Sequence, residues 1–226
     1  MSSRSERTAL ATLQRLKTSY QTGIKRNYEQ AAEDCSTCLT PGACCMDAHF
    51  VNVHITRLEA VAIRETLERT PRLSEEEKRE VYARAREAVR RYDLRASGDT
   101  FAQTFSCPLY VPRLGCLVHR RAKPAPCIQH ACYKNWEDLP PDALQQRVEH
   151  RVEELNAEVY GKEWAWLPLP LWLTLVDPHS DGLALQTLMR EWSVRVVKSE
   201  GNSNHHASRK FFSLRNKKVR SLPVIN

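Results

Sequence analysis

The residues of this 226-residue chain best suited to chemistry are its eight cysteines, and they fall into two batches. Cys35, Cys38, Cys44 and Cys45 lie within eleven residues of one another, and Cys107, Cys116, Cys127 and Cys132 form the second batch. A thiolate is a soft, strong ligand, and Zn²⁺ or an iron–sulfur cluster each takes four of them. Eight thiols exceed the needs of one zinc ion, so the count fits two four-ligand sites or one polynuclear site. Cys35-x-x-Cys38 has the spacing at which a tight turn directs both sulfurs to one metal. The adjacent side chains of Cys44 and Cys45 diverge, which suits two nearby metals or a cluster better than one ion.

The second batch is looser, with eight, ten and four residues between successive cysteines. Gly42 and Gly115 each lie within two residues of a cysteine, where glycine lets backbone N–H groups approach sulfur. Arg113, Arg120, Arg121, Lys123 and Lys134 surround this batch and can offset the charge of a tetrathiolate. His49, His54, His119 and His130 are near enough in sequence to replace a thiol; with eight cysteines at hand they read as neighbours rather than ligands. Free structural cysteines would scatter through helices instead of gathering in Pro/Gly loops. Disulfides belong to oxidising compartments. The start of the chain is a polar helix rather than a secretory signal, and the apolar run Trp164–Val176 is too short to span a bilayer and carries Pro168 and Pro170. The expectation is a cytoplasmic protein with all eight cysteines as metal ligands.

With those residues in view, the chain resembles the YkgJ-like cysteine-cluster family, described as zinc- or iron-chelating proteins. The resemblance rests on Cys35, Cys38, Cys44 and Cys45, then Cys107-Pro108-Leu109, then Cys116, then Lys123-Pro124-Ala125-Pro126-Cys127, and covers about residues 30–135. It implies a metal site without implying a reaction. The chain departs from the family pattern in placing five residues between Cys38 and Cys44 rather than two, Lys123 where the family has Arg, and His119 where Tyr is common.

The elements that must position the thiols read as mainly helical, an α+β fold with a small Cys-rich, metal-nucleated region packed among helices. Leu10, Leu13, Leu16, Tyr20, Ile24 and Tyr28 recur at helical steps, predicting an N-terminal helix through 1–34 that packs on the body. Val51, Val53 and Ile55 alternate with Asn52 and His54 as in a short strand. Thr56/Glu59 and Ser74/Glu77 are capping boxes that open two helices, the second running to about Tyr92. Pro108, Pro112, Pro124 and Pro126 keep 93–135 irregular. Pro140 and Pro141 start a helix to about Tyr160. Trp164–Leu173 reads as extended, with its tryptophans in the core, and a last helix covers about Leu183–Val197. Residues 35–198 thus form the cysteine-cluster domain.

The net charge of +7 is uneven: 199–226 holds six Lys/Arg against Glu200 alone. That segment reads as a disordered basic tail through which nucleic acid could be contacted, and the charge of the body argues against nucleic-acid binding there. Asp34, Asp47 and Asp99 read as solvated, with no paired carboxylate for acid–base work. The expected function is a metal-binding (iron–sulfur or zinc) module, binding or accessory, with a protein partner of unknown identity. The rivals are an iron- or iron–sulfur-dependent redox enzyme and a zinc-stapled nucleic-acid adaptor.

Overall fold

The computed structural model describes residues 3–33, 40–46, 51–97, 100–133, 135–161 and 166–190. Cys35, Cys38, His49, Asp34, Asp47, Asp99, Lys134, Trp164 and the basic tail lie outside the described residues. The fold is mainly helical, with two short antiparallel strand pairs, and no described helix is long and apolar enough to cross a membrane.

Helix α1 (Arg4–Asn27) begins where the Ser3 hydroxyl accepts the Glu6 N–H. It ends at Asn27, not Asp34. Tyr28 leaves helical geometry, one 3₁₀ turn follows at Glu29–Ala31, and Ala32 pairs with Tyr133. The Glu33 N–H, which a continuing helix would use internally, donates to the Cys132 carbonyl at 2.8 Å. A long-range backbone bond therefore replaces the last helical turn, and it carries the chain to the edge of the second cysteine batch.

After the short helix α2 (Ala43–Met46) comes strand β1 (His54–Ile55), then α3 (Arg57–Glu68) and α4 (Glu75–Arg91). Both capping boxes form as expected, each with the hydroxyl accepting the third N–H and the glutamate reaching back. Strand β1 is shorter than the alternation predicts, and His54 does not face solvent. Its ring is buried, stacked on Phe101 at 4.3 Å, with Nδ1 2.7 Å from the Asn52 carbonyl oxygen and Nε2 2.9 Å from that of Thr100. Both ring nitrogens are thereby engaged by backbone, and His54 serves the fold rather than the thiols.

Strands β2 (Tyr110–Val111) and β3 (Gly115–Cys116) make a hairpin, and α5 (Ala125–Gln129), α6 (Asp142–Tyr160), β4 (Leu167–Pro168) and α7 (Leu169–Leu175) follow. Strand β4 pairs with β1, Ile55 opposite Leu167. The expectation of a fully extended Trp164–Leu173 is corrected by α7. Pro168 caps this helix and Pro170 sits in its first turn, where a missing N–H costs nothing. The apolar residues that looked like a strand then wrap onto α4, and Trp172 is fully buried. Residues 183–190 are helical as expected, and the remainder of that predicted helix lies outside the described residues.

Helix α3 separates two cores. Ile63, Leu67, Val81, Tyr82, Ala85, Phe105, Leu109 and Trp172 belong to one, joining α3, α4, α7 and the loop before β2. Ala9, Leu13, Leu58, Ala125, Val148, Val152 and Leu155 form the other, joining α1, α3, α5 and α6. Trp166 packs half-buried against the second. Polar groups also enter this second core. Lys17 Nζ lies 2.5 Å from Glu59 Oε1, both side chains at least 96% shielded, and Asn156 Oδ1 accepts the Leu58 N–H at the start of α3.

Glu149 of α6 faces the same region. Burial, and then the nearby Glu59 carboxylate, raise its pKa from 4.5 to about 6 despite a bond from Gln145. The folded state therefore holds a proton on Glu149 between pH 4.5 and 6 that the unfolded chain has released, so this residue's contribution improves as pH falls through that window. Glu149→Gln is expected to stabilise the protein at pH 7, by on the order of 1–2 kcal/mol. It should also flatten the pH dependence of the urea midpoint between 4.5 and 6. An unchanged pH profile would contradict this.

Candidate metal centre

Cysteines from both sequence batches meet in the fold. The Cys107 N–H donates to the Cys45 carbonyl at 2.8 Å, and the Ser106 hydroxyl donates to the Met46 carbonyl at 2.6 Å. The stretch 40–46 is thus laced to the strand of chain entering the β2–β3 hairpin. Tyr110 adds a third tie, its hydroxyl donating to the Pro41 carbonyl at 3.2 Å.

Gly42 is needed beneath that ring. Its φ is +82°, and a Cβ there would stand 2.0 Å from Tyr110 Cζ. Gly42→Ala would therefore pay both for left-handed backbone and for displacing the ring. A loss of about 1–3 kcal/mol is expected in urea unfolding, against about 0.5–1.5 kcal/mol for Tyr110→Phe, which removes only the hydroxyl bond. Equal stability of Gly42→Ala and the parent would show that loop 40–46 is not held this way.

Cys107 and Cys116 each head a tight turn. In the first, Tyr110 N–H bonds the Cys107 carbonyl at 3.3 Å around Pro108; in the second, His119 N–H bonds the Cys116 carbonyl at 3.2 Å. The Cys107 sulfur accepts from the N–H groups of Leu109 and Tyr110, and the Cys116 sulfur from that of Val118. Such N–H donors favour thiolate over thiol. The hairpin between them turns through Pro112 and Arg113, the latter at φ +71°, and Tyr110 pairs with Cys116 in register. Cys127 comes from α5, which Pro124 opens.

Burial pushes the Cys107 thiol up to about 12, with Cys116 adding to the rise. Burial also raises Cys127, which feels Cys107 and Cys116, and it raises Cys116. Cys45 is raised by its hydrogen bond to Cys44, by burial, and by the charges of Cys107 and Cys127. Four sulfurs, from α2, the two turns and α5, therefore share one electrostatic neighbourhood. Cys44, on the outer side, is lowered by the bond from Cys45 and by another from His130.

Cations stand behind this group. Lys123 lowers Cys116 and Cys127, as its place in sequence suggested. Two others come from distant helices: Lys17 of α1 acts on Cys127 and Arg84 of α4 on Cys107. Arg84 Nε donates to the Pro108 carbonyl at 3.2 Å, and its Nη2 is buried without a hydrogen-bond partner among the described residues. No spacing rule points to Lys17 or Arg84; only the packing of α1 and α4 brings them there. Of the histidines, His130 touches Cys44. His119 is exposed, its pKa lowered by partial burial and then by Lys123.

Cys132 is exposed, and its backbone lies beside Glu33, two residues before Cys35 in sequence. Among the described residues, no three His, Cys, Asp or Glu side chains are arranged as they stand to hold a metal ion. The donor chemistry fits a soft metal nonetheless: clustered sulfurs with backbone N–H donors and flanking cations.

No protein-family model matches the chain, and no curated protein or solved structure is significantly similar to it.

Proposed function

We propose that this chain is a metal-binding cysteine-cluster protein whose inner ligands are Cys45, Cys107, Cys116 and Cys127. Cys35, Cys38, Cys44 and Cys132 complete the eight candidate ligands. The carrying observation is the gathering of sulfurs from both sequence batches into one neighbourhood, tied by the Cys107–Cys45 backbone bond. Without a metal, burial leaves these thiols protonated, with weak donors in place of strong bonds. A bound zinc ion or iron–sulfur cluster would hold them as thiolates and supply folding free energy to loops with little regular structure. Lys17, Lys123 and Arg84 would then neutralise part of the thiolate charge, and the N–H groups of Leu109, Tyr110 and Val118 would orient the sulfurs. This reading agrees with what the resemblance to YkgJ-like proteins implies, and it makes the protein a binding or accessory module.

The test is elemental analysis with a visible spectrum on protein purified without oxygen. One or two zinc ions per chain in a colourless protein would make the site structural. Iron with acid-labile sulfide and a brown colour would favour the redox-enzyme reading. Protein with neither metal, and unable to take up either on reconstitution, would reject the proposal. The basic charge of 199–226 supports the adaptor reading only if deleting that segment abolishes RNA binding.

A further inference from the structure

Two histidines stand three residues after a candidate ligand, His119 after Cys116 and His130 after Cys127. Both Cys-x-x-His pairs repeat the spacing of the chelating Cys-x-x-Cys pair, and by spacing alone they are equivalent. The fold separates them. His119 is exposed on the turn that its own N–H closes on the Cys116 carbonyl, and the charges acting on its ring are those of Lys123, Glu29 and Arg120. His130 follows α5, and its N–H still bonds the Pro126 carbonyl at 3.0 Å, so its Cα keeps the helical position after Cys127. Residues three apart on a helix face the same way. Both members of this pair therefore turn toward α2, where Cys127 shares the neighbourhood of Cys45 and the His130 ring donates to the Cys44 sulfur.

Two adjacent thiols of α2 are thus met by two residues of one Cys-x-x-His pair. Cys45 is common to both halves, bonded to Cys44 on one side and beside Cys107 and Cys127 on the other. Exposure divides the halves: Cys44 and His130 are exposed, while Cys45 and Cys127 are half-buried. Four inner sulfurs satisfy one tetrahedral ion, so the outer pair is surplus to it.

We infer that Cys44 and His130 ligate a second, outer divalent metal, with the Cys45 thiolate bridging it to the inner site and water completing the set. This outer site presupposes the metal-binding reading above and gives it a second, exchangeable ion. Three protein donors with one open position make an accessible site rather than a closed structural one, and an imidazole among thiolates suits zinc or cobalt. As they stand the three donors are not arranged to hold an ion. On binding, the Cys44 and Cys45 thiols release their protons to solvent and His130 presents a neutral ring nitrogen.

The experiment loads the full chain, purified without oxygen, with Co²⁺. Elemental analysis counts the ions, a chelator ranks their affinities, and X-ray absorption reads sulfur against imidazole. The parent is expected to hold about two ions per chain, the weaker one carrying the imidazole signature. His130→Ala should weaken that ion by about a hundredfold and remove the signature, leaving the inner ion in place. His130→Cys should restore the second ion with sulfur in place of nitrogen, which a merely structural role for the ring would not do. His119→Ala should change nothing. A parent with one all-sulfur ion, two ions held equally well by His130→Ala, or no restoration by His130→Cys would overturn the outer site and leave the metal-binding reading intact. A parent that takes up no metal would overturn both.

Discussion

Cys127→Ser is expected to lose metal affinity by about a hundredfold or more. Structural zinc binding is worth about 10–16 kcal/mol in small cysteine sites. Shared over four ligands, this is roughly 3 kcal/mol for each sulfur, and each 1.4 kcal/mol is tenfold. The same substitution in a protein with no metal would remove one half-buried thiol and cost about 1 kcal/mol. The two cases separate cleanly when metal content and thermal unfolding are measured with and without a chelator. Cys107→Ser should behave like Cys127→Ser, because both sulfurs lie in the inner neighbourhood. The exposed Cys132 should matter less to that inner site, so Cys132→Ser should keep the inner metal. Unchanged metal stoichiometry in both Cys107→Ser and Cys127→Ser would reject the assignment of the inner ligands.

Lys17→Met should destabilise the protein by about 3–5 kcal/mol, since it leaves the Glu59 carboxylate buried without its counter-charge. Here the ion pair is shielded on both sides, so solvent screening cannot rescue the orphaned charge. Combining it with Glu59→Leu should recover much of the loss, because replacing both partners of a buried pair with apolar groups is often neutral. Recovery would stop short of the parent by about 1 kcal/mol, since Glu59 Oε2 also accepts the Thr56 N–H in the α3 capping box. Urea midpoints of the parent, Lys17→Met and the double variant decide the matter. A loss below about 1 kcal/mol in Lys17→Met would mean that the pair is solvated in solution. Comparing metal affinity between Glu59→Leu alone and the double variant then isolates the contribution of Lys17 to the charge at Cys127.

Much of this arrangement was legible from local signals. The capping boxes at Thr56 and Ser74 and the Pro140–Pro141 start place α3, α4 and α6, since caps and prolines act through groups within one turn. The cysteine batches themselves, and the glycine at 42, mark the candidate site through residue type alone. Other features have no local signature. The periodicity of α1 continues to Tyr28 in sequence, yet what ends the helix and redirects 28–33 is the pairing of Ala32 and Glu33 with the chain at 132–133. Residues 169–175 carry a run equally apolar on every side, which cannot tell strand from helix; packing of Trp172 against the α4 core goes with the helix.

The sequence by itself determined which atoms could bind a metal, the helices that carry the scaffold and the uneven charge between body and tail. Tertiary structure alone decided that Cys45 lies with Cys107 and Cys127, that His54 belongs to the backbone of its own loop, and that Lys17 and Arg84 stand behind the sulfurs. The reason is physical: ligand type and helix caps are properties of one residue and its near neighbours. Burial, charge compensation and the meeting of two cysteine batches depend on contacts between segments as far apart as α1 and α5, which no spacing encodes.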